Sequence, residues 1–263
     1  MDHHHLEAMM RGEFNSKKKT PPTEAKTKVD LELENEIDAY VDGLELPIDP
    51  NGRSLDTPQA KKEKMKLELK EAVKLPELSQ NLDTAMEILI SEGANYLSPE
   101  ANQQLLADFS NAATLLADMT LADTANVSLQ ELSKFGDESM TSITTVAIAK
   151  YAEGKYLDCQ AIFALLAILN PGYDEYWLRL GLAAQKNINF DLASRAYLAA
   201  SGLNPDLIEA RLFAAECFLA CKEFDKAKHE ISEAKKIADS IKVDQQWLDL
   251  LPIIENEIKQ PSA

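Results

Sequence analysis

The chain has 263 residues, 45% of them hydrophobic, enough for one or two domains with a buried core. Lysine and arginine number 27 against 44 aspartates and glutamates, a net charge of −17, and such a surface repels phosphate backbones and anionic lipid, excluding nucleic acid and membrane surfaces as partners. No apolar run reaches the roughly 18 residues that a bilayer span needs, so membrane insertion is not expected.

Taken in chain order, Met1 to Ser16 has no apolar stretch, so no secretory leader is expected there. His3, His4 and His5 resemble an expression-tag remnant, and Lys17–Lys19 followed by Thr20-Pro21-Pro22-Thr23 reads as unfolded. Residues 1–56 are therefore expected to be largely disordered or tag-like. Within them Leu33, Ile37, Tyr40, Val41 and Leu44 recur at helical spacing, which predicts a short docking helix over Val29–Leu46 before Pro47–Gly52 breaks it. Thr57-Pro58 opens a second helix that runs near Lys74; its six lysines among three glutamates read as a solvated face. Leu82, Met86, Leu89 and Ile90 place a third over Asn81–Gly93, and Ser98-Pro99-Glu100 starts a fourth carrying Leu105, Phe109 and Leu116. Ser128 and Glu131 have the spacing of a capping box, in which each satisfies a free backbone donor at the helix start. Residues 57–139 thus form an N-terminal helical region.

From Met140 a motif recurs every 34 residues. Ala147, Gly181 and Ala215 keep that interval, as do Phe163, Tyr197 and Ile231, the aromatics Tyr156, Phe190 and Phe224, and the pairs Asn170-Pro171 and Asn204-Pro205. This period, with small, aromatic and proline positions at fixed offsets, is the tetratricopeptide signature of stacked helical hairpins. The predicted fold is all-α: a tetratricopeptide solenoid of three repeats (140–173, 174–207, 208–241), preceded by N-terminal helices and closed by a capping helix and tail (242–263). Asp174 and Asp206 are expected to cap first helices, and Gly154-Lys155-Tyr156 and Lys222-Glu223-Phe224 to supply turns. Tyr156, Phe190 and Phe224 read as structural. The last helix, Val243 to Lys259, carries Trp247, Leu250, Leu251 and Ile254, with Pro252 expected to kink it.

In this geometry the first helix of each pair lines a concave side. Counting inward positions gives a candidate client groove of Thr144, Ile148, Tyr151, Leu178, Leu182, Gln185, Leu212, Glu216 and Leu219. The apolar members would form pockets and Gln185 would hydrogen-bond an extended client backbone. The alternative is that several of them pack against the N-terminal helices or the extension, and that Glu216 is simply solvated. A clamp for a C-terminal carboxylate would need cationic inward residues, which these positions lack. Cys217 and Cys221 lie four apart with His229 beyond, too few ligands for a zinc site, so they read as small hydrophobes. No nucleophile triad, phosphate loop or paired-carboxylate motif appears; no metal, no cofactor and no enzymatic activity are expected. Three cysteines without framework spacing suit a reducing cytosol.

With the repeats in register, residues from about Asp108 to Asp239 resemble the tetratricopeptide chaperones of bacterial type III secretion, the LcrH/SycD type that guards hydrophobic translocators. The resemblance is carried by Tyr151-Ala152-Glu153-Gly154-Lys155-Tyr156, Ile162-Phe163, Leu169, the Leu180-Gly181 stretch to Gln185, and above all Phe213-Ala214-Ala215-Glu216-Cys217. It implies a cytoplasmic bacterial chaperone with a cupped groove that binds extended segments of hydrophobic translocator or effector proteins through small apolar and proline anchors. It also implies homodimer contacts through the N-terminal helices. The family's shorter members have no counterpart of residues before about Asn81, and the long extension suits a chlamydia-like member. A scaffold or adaptor of the same fold, holding a permanent partner, is the alternative.

Overall fold

The computed structural model describes residues 28–44, 57–73, 78–118 and 128–259. Most of the stretch expected to be disordered or tag-like lies outside them. Every regular element among the described residues is helical. The leading helices are α1 (Lys28–Gly43) and α2 (Pro58–Val73), followed by α3 (Leu78–Glu92), α4 (Pro99–Asp118) and the single turn α5 (Leu129–Leu132). The box at Ser128 is present: its hydroxyl accepts from Glu131 N, and the Glu131 carboxylate accepts from Ser128 N.

Three antiparallel hairpins follow: α6 (Asp137–Ala152) with α7 (Tyr156–Leu169), α8 (Asp174–Lys186) with α9 (Phe190–Leu203), and α10 (Ile208–Ala220) with α11 (Phe224–Ser240). Each first helix ends in the same way. Gly154, Ile188 and Lys222, 34 residues apart, stand in the left-handed region at φ 76°, 61° and 63°. The next residue then donates its N–H five residues back, Lys155 to Lys150 O, Asn189 to Ala184 O and Glu223 to Phe218 O, closing the helix. Packing between the helices follows the small positions. A Cβ on Gly181 would lie 2.5 Å from the fully buried Tyr197 ring, so only glycine lets α8 and α9 approach that closely.

The aspartates do not cap as expected. α8 begins at Asp174 behind Tyr173, and α10 begins at Ile208 behind Leu207, neither with a side-chain cap. Asp174 instead accepts from Asn204 Nδ2 at 2.8 Å, tying the entry of the second repeat to its exit. Asn170 has the matching role a repeat earlier, donating to Gln130 Oε1 at 3.0 Å.

α7 is buried from Cys159 to Leu169 because α3, α6 and α8 enclose it. The junction of α3 with the first repeat is pinned by Lys150, which is 0% exposed and donates to Glu92 at 2.8 Å and Asp158 at 3.0 Å, with Tyr96 beneath its ammonium. Burial alone would lower the Lys150 pKa, but the two carboxylates outweigh it and hold the ammonium charged. In the third repeat, Arg211 to Glu230, at 2.8 Å and both buried, joins α10 to α11.

The leading helices dock on the outer side. α2 packs against α9, burying Met65 and Leu69, and α9 itself buries Leu192, Ala196 and Ala199. α1 packs on α2 and buries Ile37 and Val41, while the Tyr40 hydroxyl reaches Gly172 O at 3.4 Å. The lysine-rich helix is therefore not merely a solvated face. Lys66 pairs with Asp42 at 2.8 Å, Lys62 donates to the Asp42 carbonyl at 2.7 Å, and Lys70 pairs with Asp38. At the other end α12 (Gln245–Lys259) runs on through Pro252 and packs against both α10 and α11.

Candidate functional site

The first helices α6, α8 and α10 carry all nine groove candidates. Ile148 is 45% exposed, and Thr144, Tyr151, Leu178, Leu182 and Leu219 are half-buried. These six stand where a partner can touch them. Tyr151 is held edge-to-face on Tyr156 with centroids 5.2 Å apart, and Thr144 donates to Met140 O while sharing a side-chain hydrogen bond with Tyr176. Tyr173 and Tyr176, stacked edge-to-face at 4.6 Å, extend the row at the mouth of the second repeat. Among the described residues the leading helices lie elsewhere: α1 packs on α2, α2 sits on α9, and α8 packs chiefly against α7 and α9.

The remaining three candidates lie inside. Leu212 is 0% exposed, and Gln185 and Glu216 are each 4% exposed. Leu212 and Glu216 correspond by the 34-residue step to the half-buried Leu178 and Leu182. What differs is α12, which lies against α10 with Trp247 edge-to-face on Phe213 at 5.6 Å; among the described residues α8 has no such neighbour. Gln185 is engaged internally. Its Oε1 accepts from the Tyr197 hydroxyl at 2.6 Å and its Nε2 donates to Glu216 Oε2 at 3.1 Å, so it positions Glu216 rather than presenting its amide to a client. Nor is Glu216 solvated. Burial pushes its carboxyl up to about 7, a rise that Gln185 opposes and the Glu257 carboxylate on α12 adds to. Glu257 and Tyr173 escape sequence reading because they stand outside the inward repeat positions.

Burial raises the Cys159 thiol to about 12 and pushes the Cys217 thiol well up, so both are protonated and inert at neutral pH, as small hydrophobes should be. Among the described residues no helix is long and apolar enough to cross a membrane.

No family profile matches the chain. It is similar to the low calcium response locus protein H of Yersinia pestis and to that of Yersinia pseudotuberculosis, at 28% identity over 108 residues in each case. That match covers 40% of this chain and 63% of the relatives, so the chain spans less than two thirds of their length. Among solved structures it is similar to the Yersinia enterocolitica chaperone SycD in complex with a peptide of the translocator YopD (21% identity, 48% of this chain and 94% of that one, TM-score 0.43). It is also similar to PcrH of Pseudomonas aeruginosa in complex with the chaperone binding region of PopD (20%, 48% and 94%, TM-score 0.45). A CopN–Scc3 complex matches 69% of this chain and 98% of its own, at 16% identity and TM-score 0.45.

Proposed function

We propose that this chain, a relative of the LcrH/SycD-type tetratricopeptide chaperones, holds an extended apolar segment of a type III translocator or effector along the first helices of its repeats, in the bacterial cytoplasm. The supporting observation is the row Ile148, Tyr151, Leu178 and Leu182, left partly open on α6 and α8 while, among the described residues, the leading helices pack on α9 instead. Contiguous apolar side chains facing solvent cost free energy unless a partner covers them. Covering them gives roughly 25 cal/mol for each Å² removed from water, before the ordering of the client is subtracted. The client is kept soluble by that burial and the chaperone performs no chemistry on it.

Replacing Leu182 with aspartate tests this. The Leu182→Asp chain should keep its far-UV circular dichroism yet lose the co-expressed translocator from co-purification, and Ile148→Asp should weaken it in the same way. Wild-type recovery of the client by both variants would place the binding surface elsewhere. Leu212 is unsuitable for the purpose, since a charge there enters the core.

A further inference from the structure

By the 34-residue step, Leu212 and Glu216 are the third repeat's counterparts of Leu178 and Leu182, yet Leu178 and Leu182 are half-buried while Leu212 and Glu216 are closed from solvent. The helix lying over them is α12. It begins where the first helix of a fourth repeat would stand, but it leans on α10 as well as on α11, whereas α8 packs chiefly against α7 and α9. Its two seams differ in kind. Toward α11 it is held by charge, Lys235 pairing with Glu255 at 2.9 Å. Toward α10 it sets Trp247 edge-on to Phe213 at 5.6 Å. Glu216 Oε1 on α10 and Glu257 Oε1 on α12 are buried with no hydrogen-bond donor, although the other Glu216 oxygen accepts from Gln185. Acceptors buried without donors cost free energy, so covering the third repeat carries a penalty that the α11 seam does not.

We propose that α12 is a displaceable cover over the third repeat's share of the groove: a polypeptide held along the apolar row takes its place on α10, and α12 rocks away while staying on α11. This rests on the groove reading above and adds an autoinhibitory contact to it. The exchange is close to balanced, as a reversible cover requires. Apolar side chains of the guest replace those of α12 on Leu212, and an extended guest brings backbone N–H groups to a Glu216 oxygen that α12 leaves without one. A guest too short to reach α10 has nothing with which to move α12. Neighbouring helices stand about 8–10 Å apart and an extended chain advances about 3.3 Å per residue, which allots about three residues to each first helix. A guest of about six residues therefore spans α6 and α8, and one of about nine reaches α10.

Capped peptides of alanine, leucine and proline at those two lengths test this on the full chain, by hydrogen exchange read with mass spectrometry. The longer peptide should speed exchange of the α12 amides, residues 245–259, about tenfold while slowing those of α8. The shorter one should slow α8 and leave α12 unchanged. Trp247→Ala removes the ring contact with Phe213, and its fold is checked by circular dichroism. It should bind the longer peptide about fivefold more tightly than wild type does, because less of the chain is held in the covered state. Unchanged or slower exchange of α12 under the longer peptide, the same acceleration by both lengths, or equal affinity of Trp247→Ala and wild type overturns the cover. In that case peptides that bind wild type but not Leu182→Asp leave the groove standing. If neither peptide binds wild type or Trp247→Ala, both readings fall.

Discussion

Ile188 shows what a period costs when one residue breaks its chemistry. The position demands a left-handed backbone, which Gly154 supplies without penalty, whereas Ile188 adopts φ 61° with a β-branched side chain half in solvent. Ile188→Gly should therefore stabilise the protein by about 1 kcal/mol, read as a higher urea midpoint at unchanged slope. A lower midpoint would mean that the isoleucine side chain contributes packing that outweighs its strain. Glu216 makes a second residue-scale case. An unfolded glutamate ionises near 4.5, but this one holds its proton in the fold until about 7. Between those values the unfolded state releases a proton the folded state keeps, so stability falls as pH rises and then levels off. The loss is on the order of 3 kcal/mol. Glu257, also raised, acts in the same direction, while Glu92, Glu153 and Glu255, kept below the usual range by lysines, lose stabilisation in acid. Urea unfolding near pH 5 and pH 8 should show the decline in wild type and a smaller one in Glu216→Gln; an equal decline in both would remove Glu216 as its source.

Among the elements, legibility tracked periodicity. The turns at Gly154 and Lys222 were readable because one template repeats in register, whereas the close contact of Gly181 with Tyr197 shows only in the packing. Two placements were not. The seat of α2 on α9 buries Met65 and Leu69, two apolar residues among many lysines and glutamates, so the helix reads as a solvated one in any hydropathy pattern. The lean of α12 onto α10 lies past the last repeat, so nothing in the 34-residue spacing foretold that Leu212 and Glu216 would be covered while Leu178 and Leu182 stay open. Six of the nine candidates keep partly open side chains, and the burial of Gln185, Leu212 and Glu216 needed knowledge of what packs beyond the repeats. The docking of α1 has its own test. A Cβ at Gly172 would collide with the Tyr40 ring, so Gly172→Val should loosen the leading helices. Limited proteolysis should then cut faster between 28 and 73, with helicity of the repeats retained; an unchanged cleavage pattern would show that α2 alone holds the extension.

On the scale of the whole molecule, α2 packs on the second helix α9 while the first helices α6 and α8 keep partly open apolar side chains, and α3 exposes two more. Met86 and Ile90, one turn apart on α3, are exposed although α3 packs firmly on α7. A homodimer through the N-terminal helices, the expectation from the sequence, would cover this pair. Sedimentation should then find Ile90→Glu shifted toward monomer relative to wild type, and identical mass distributions for the two would exclude this face.

The Tyr40 contact at Gly172 falls at the seam where the first repeat hands over to the second, and α2 grips the second helix just beyond it. A solenoid flexes at such seams, opening or tightening its arc. The leading helices therefore brace this seam like a splint, and the proposed guest would meet a frame already bent to receive it.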